Sequence, residues 1–78
     1  MVYCNLKEKR SGSAIYLFGT TTADITGEVE FFVEYRKPNL LKQPAKASVS
    51  ETVLFPLVAK YKKKFSNGIF PEKISHEY

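Results

Sequence analysis

Along residues 27–36 the side chains alternate with a period of two. Val29, Phe31, Val33 and Tyr35 fall on one side, and Glu28, Glu30, Phe32, Glu34 and Arg36 on the other. This pattern predicts a half-buried β-strand, with one face packed and a file of carboxylates on the other. Residues 1–8 repeat the alternation, with Val2, Cys4 and Leu6 against Tyr3, Asn5 and Lys7. Residues 14–20 are more continuously apolar through Ile15, Tyr16, Leu17 and Phe18, as in a central strand covered on both sides. A turn at residues 9–13, with Gly12 and two serines, joins the first two runs, and Asp24 and Gly27 punctuate the link to the third. Consecutive strands with short links make an antiparallel meander.

Beyond Arg36 the period is lost. Residues 38–48 hold two prolines and no regular spacing, which predicts a loop with Leu40 and Leu41 as a plug on the core. Over residues 50–66 the spacing becomes helical, with Val53, Leu54, Leu57, Val58, Tyr61 and Phe65 in one apolar arc. Ser50 suits the cap, Glu51 the positive end of the helix dipole, Lys62, Lys63 and Lys64 the negative end, and Asn67-Gly68 the stop. Pro56 conflicts with a helix begun at Ser50 unless it lies near the first helical position. The competing reading starts the helix at Pro56 and makes residues 49–55 a fourth strand, which Val49, Thr52 and Val53 suit. The capping pattern favours the earlier start. Residues 69–78 read as a short, partly flexible tail, with Ile69 and Phe70 placed to cover the core or pair at an edge.

The predicted fold is therefore α+β: a three-stranded antiparallel meander, with residues 49–55 open as a fourth strand, under one amphipathic helix. Its core sets Val29, Phe31, Val33 and Tyr35 against Leu54, Leu57, Val58, Tyr61 and Phe65. The length of 78 residues holds one small domain of modest intrinsic stability, which leaves self-association open. No apolar run approaches the roughly 20 residues that span a bilayer. No basic segment followed by an apolar core opens the chain, so a cytoplasmic location is expected.

Charge and chemistry add less. Twelve Lys and Arg against eight Asp and Glu give a formal charge of +4, an excess compatible with an acidic partner or nucleic acid. Cys4, the single cysteine, reads as a small buried hydrophobe, and a nucleophilic pair with His76 would require the tail to return to it. Adjacent carboxylates of the acidic file are about 7 Å apart, too far to share one ion without further ligands. They are expected to be solvated or paired with Lys7 or Lys9 across strands. No phosphate loop, metal-ligand cluster or hydrolase constellation appears, so no enzyme, metal or cofactor is expected.

The residues out of place are aromatic. Phe32, flanked by Glu30 and Glu34, lies on the side expected to be wet, and Phe55 falls outside the helical arc. These four are the candidate contacts of a non-catalytic protein-interaction module, either self-associating or an adaptor. The alternative is nucleic-acid binding through the helix end (Lys60, Lys62, Lys63, Lys64) and the first turn (Lys7, Lys9, Arg10). The glutamates of the third strand would oppose any reading that lays the sheet against phosphates.

Overall fold

The computed structural model of the chain describes residues 1–77. Strands β1 (Val2–Arg10), β2 (Ser13–Gly19), β3 (Gly27–Phe32), β4 (Asn39–Lys42) and β5 (Lys73–His76) form one antiparallel sheet in the order β4-β3-β2-β1-β5. Between β4 and β5 lies a helical segment in three pieces: a 3-10 turn (Glu51–Leu54), α1 (Phe55–Lys60) and α2 (Lys62–Ser66). Because β4 and β5 occupy opposite edges, the chain between them must cross the width of the sheet. It does so on one face, and that crossing builds the second layer.

The meander is present, but its third strand is shorter than the alternation predicts. Ser13 faces Phe32 as the last pair of β2 with β3, and Val33 gives its amide to the Gly12 carbonyl at 3.0 Å. Beyond that point β2 has already turned at Ser11-Gly12, where Gly12 takes φ +78°. Residues 33–36 therefore have no strand to pair with and leave the sheet. Val33 still packs on the core, whereas Tyr35, predicted to point inward, is 61 % exposed.

Residues 38–48 are not all loop. Asn39–Lys42 pairs with β3, setting Leu40 opposite Val29 over the core, while Leu41 is the extra residue of a bulge and stays exposed. Gln43 then clasps Val49, accepting from its amide at 2.7 Å and donating to its carbonyl at 2.9 Å. At the other end, Phe70 covers the core, and the edge pairing falls to β5, four positions beyond Ile69. Tyr78, the end of the predicted tail, lies outside the described residues.

Ser50 caps the helical segment, its Oγ accepting from the Thr52 amide, so residues 49–55 are not a strand. The single regular helix predicted over 50–66 is not formed. The proline conflict is resolved by tightening the first turn to 3-10 and opening α1 at Phe55, which puts Pro56 where a missing amide proton costs nothing. A second break occurs at Tyr61 (φ −105°, ψ 12°). The apolar arc survives these interruptions: Leu54, Leu57 and Phe65 are buried, and Val53, Val58 and Tyr61 pack beside them.

Under this layer the sheet contributes Val2, Cys4, Ala14, Tyr16, Phe18, Val29, Phe31 and Ile74. Tyr16, Phe31, Phe65 and Phe70 form a chain of ring contacts 5.0–5.6 Å apart. The buried Tyr16 hydroxyl donates to the Pro71 carbonyl, which ties the core to the approach to β5. Lys60 Nζ and Tyr61 Oη reach the backbone of Ser75 at the β5 edge. Helix side chains thus occupy hydrogen-bonding groups that an edge strand would otherwise leave open.

The opposite face of the sheet carries no second layer among the described residues. In register it presents Asn5, Leu17, Glu28 and Lys42 in one row and Glu8, Ile15, Glu30 and Asn39 in the next. Ile15 is buried although it lies on this face. The 20–26 connection folds back over one end of it. There Asp24 accepts from Thr26 Oγ1 and from the Lys46 amide, while Thr26 Oγ1 accepts from the Ala45 amide.

Those bonds hold the Asp24 carboxyl below its usual range, chiefly through the Thr26 hydroxyl and then the Lys46 amide. A carboxyl depressed in the folded state stabilises the fold above its unfolded value, near 4. That contribution falls away as pH drops through the folded value. Asp24→Asn is therefore expected to lower the melting temperature at neutral pH and to flatten its acid limb. A melting temperature measured against pH checks this, and an unchanged acid limb would rule out Asp24 as its source.

Candidate interaction site

The departure of residues 33–38 from the sheet creates a recess. The chain swings outward at Tyr35 and returns at the buried Pro38 to enter β4. Against it stand Phe55 and Val58 of α1. Tyr35, Arg36, Lys37, Pro38, Phe55 and Val58 line a cavity of about 280 Å3. Phe55 is 41 % exposed, so the two aromatic rings of this cavity are both among the most exposed large apolar side chains of the domain. Lone exposed apolar residues are ordinary on a protein surface, but two aromatics in one recess form a patch.

Cations border the recess. Lys62 Nζ lies 4.5 Å from the centre of the Tyr35 ring, and Lys37 pairs with Glu51 at 2.7 Å. The Arg36 guanidinium sits 4.2 Å above the Phe32 ring, so the recess and the open face meet at this residue. Lys62, Lys63 and Lys64 make no ion pair among the described residues.

The predicted contact residues separate. Phe55 is in the recess, and Glu34 is exposed on the connection beside it. Phe32 lies on the open face and is partly covered by Arg36. Glu30 is engaged within the fold: it accepts from Ser13 Oγ at 2.6 Å and lies 4.0 Å from Arg10. The predicted nucleic-acid contacts also divide. Lys7 pairs with Glu28 at 3.1 Å, and Arg10 with Glu8, both on β1, whereas Lys60, Lys62, Lys63 and Lys64 belong to the layer on the other face. Lys9 is opposite Ala14, on the face that carries the helices.

Tyr35 is the residue that sequence reasoning missed. Its signal was available as arithmetic: a seven-residue β2 closed by a turn at Ser11-Gly12 has too few positions to pair all ten residues of 27–36.

Cys4 and His76 come from adjacent strands, at diagonal positions of the β1–β5 pairing. The thiol is buried, and loss of solvation pushes it up to about 12, the reverse of nucleophile activation. No group of three or more His, Cys, Asp or Glu able to hold a metal occurs among the described residues. No helix among them is long and apolar enough to cross a membrane. Compared with known proteins, the chain matches no family model, no curated protein and no solved structure at significant similarity.

Proposed function

We propose that this chain is a small non-catalytic protein-interaction module that seats an acidic segment of a partner protein, by an apolar side chain, between Tyr35 and Phe55. The carrying observation is the joint exposure of these two rings in one recess with Lys62 and Arg36 at its rim. Aromatic anchors of this kind supply most of the energy in protein contacts, and rim charges select the partner and speed its approach.

The same charges argue against a second copy as the occupant. A two-fold contact centred on this recess would gather the Arg36 and Lys62 of both copies at one rim, and like charges crowded at an interface are repulsive. An acidic segment is attracted by Arg36 and Lys62 and opposed chiefly by Glu34 on the connection, since Glu51 is already paired with Lys37. Aromatic rings beside lysines also stack nucleic-acid bases, so a single-stranded oligonucleotide is the competitor to include.

Selection of peptides displayed on phage is expected to enrich acidic sequences with a central aromatic or leucine. Tyr35→Ala combined with Phe55→Ala is expected to weaken them by about thirtyfold or more, as for paired hot-spot residues. Peptides that bind the double variant unchanged would overturn the reading. So would an oligonucleotide that binds through these residues when no peptide does.

A further inference from the structure

On the open face, above the β1–β5 pair, lies a second cavity of about 310 Å3, at the small end of the range that holds organic ligands. Its floor is the paired backbone around Cys4 and Ile74, whose side chains point to the core on the other side. Register places Tyr3 beside Ser75 and Asn5 beside Lys73, all four on the open side, and Thr22 and Ile25 of the 20–26 connection form the wall.

These side chains share one property. The Tyr3, Thr22 and Ser75 hydroxyls, the Asn5 amide and the Lys73 ammonium group make no side-chain hydrogen bond or ion pair among the described residues. The cavity wall holds one cation, four neutral hydrogen-bonding groups and no carboxylate. Elsewhere on this face Lys7 is engaged with Glu28 and Arg10 with Glu8 and Glu30, while Lys42, at the far β4 edge, has no ion pair among the described residues.

We infer that this cavity is a binding site for a small organic anion, a carboxylate or phosphate monoester with an apolar body. Lys73 and Asn5 donate to the anionic group, and the hydroxyls of Tyr3, Thr22 and Ser75 complete its hydrogen bonding. The apolar body lies on Ile25 and the Tyr3 ring. A bare inorganic anion would fill a fraction of the space, since each water it left behind occupies about 30 Å3, and would leave the Ile25 wall unused. None of the residues in this site lines the Tyr35–Phe55 recess, so the two proposals stand or fall separately.

The test is a titration of the full chain with benzoate, phenyl phosphate and inorganic phosphate, followed by amide chemical shifts. Saturable shifts confined to residues 3–5, 22–25 and 73–75 are expected with one or both organic anions, and their relative strength identifies carboxylate or phosphate. Lys73→Gln is expected to weaken binding about tenfold or more, the cost of a hydrogen bond to a charged group, while Lys42→Gln on the same face leaves it unchanged. Four results would overturn the site: no saturation, shifts that follow every lysine, an unaffected Lys73→Gln variant, or inorganic phosphate binding as tightly as phenyl phosphate.

Discussion

Phe31→Ala is expected to lower the melting temperature by about 15 °C or more. Phe31 is fully buried in β3, with Tyr16 edge-on at 5.6 Å and Phe65 at 5.4 Å. Phe65 in turn stacks on Phe70 at 5.0 Å, so the vacated space lies where the sheet, α2 and the approach to β5 meet. Truncating a buried phenylalanine costs about 3–5 kcal/mol. A chain of 78 residues has about 4–12 kcal/mol in total, and each kcal/mol moves the melting temperature of so small a domain by about 4–8 °C. Phe31→Leu keeps most of the volume and should cost under about 1.5 kcal/mol.

Thermal melts followed by circular dichroism measure all of these. Phe55→Ala makes the useful contrast: it removes an aromatic of the same size from a half-exposed position and should change stability by about 0.5 kcal/mol or less. Its proposed effect is on binding. If Phe31→Ala melted within a few degrees of the parent chain, the ring cluster would not be the centre of the core.

The difference between those two phenylalanines shows what sequence could and could not convey. Phe31 sits on the apolar side of a regular alternation, with Val29 before it and Val33 after it on the same side, and both pack on the core. The apolar arc of the helical segment was legible for the same reason, because Leu54, Leu57 and Phe65 are fixed by spacing and tolerate the breaks at Pro56 and Tyr61. What failed was length. Alternation continues through Tyr35, but a strand lasts only as long as its neighbour, and that limit is set by a turn 23 residues earlier, at Gly12. β4 and β5 failed differently. Each is four residues long and belongs to an edge, too short for a period to emerge, and each exists because a longer strand was already there to pair with. Both candidate cavities border such segments. The first depends on where β3 stops, the second on β5 and the 20–26 connection, so neither site could be assembled from the strong periodic signals alone.

Gly19→Ala is expected to be the most damaging glycine substitution, although Gly19 has no unusual backbone angle. It closes β2 opposite Tyr3 on the open face, under the 20–26 connection. A methyl group placed there would lie 1.8 Å from the Asp24 carbonyl oxygen, 2.8 Å from its carbon and 3.1 Å from Ile25 Cα. All three obstacles are backbone, so no rotamer change relieves the clash. Nor can the connection lift away freely, because Thr26 and the amide of Lys46 hold the Asp24 carboxylate and Thr26 also holds Ala45. Overpacking typically costs about 1–3 kcal/mol, and with the anchoring bonds lost as well about 3 kcal/mol is expected here. Gly12→Ala makes the comparison. Gly12 has φ +78° but open space where a Cβ would go, so it should cost only about 1 kcal/mol.

Urea unfolding midpoints rank the two, and the expected order, Gly19 well above Gly12, places close approach above backbone angle in this fold. The consequence extends to the organic-anion site, whose wall is Thr22 and Ile25. Gly19→Ala molecules that remain folded should lose the saturable shifts with phenyl phosphate even though Lys73 is intact. A variant as stable as the parent chain would mean that the connection does not rest on Gly19, and the cavity it walls would lose its physical basis.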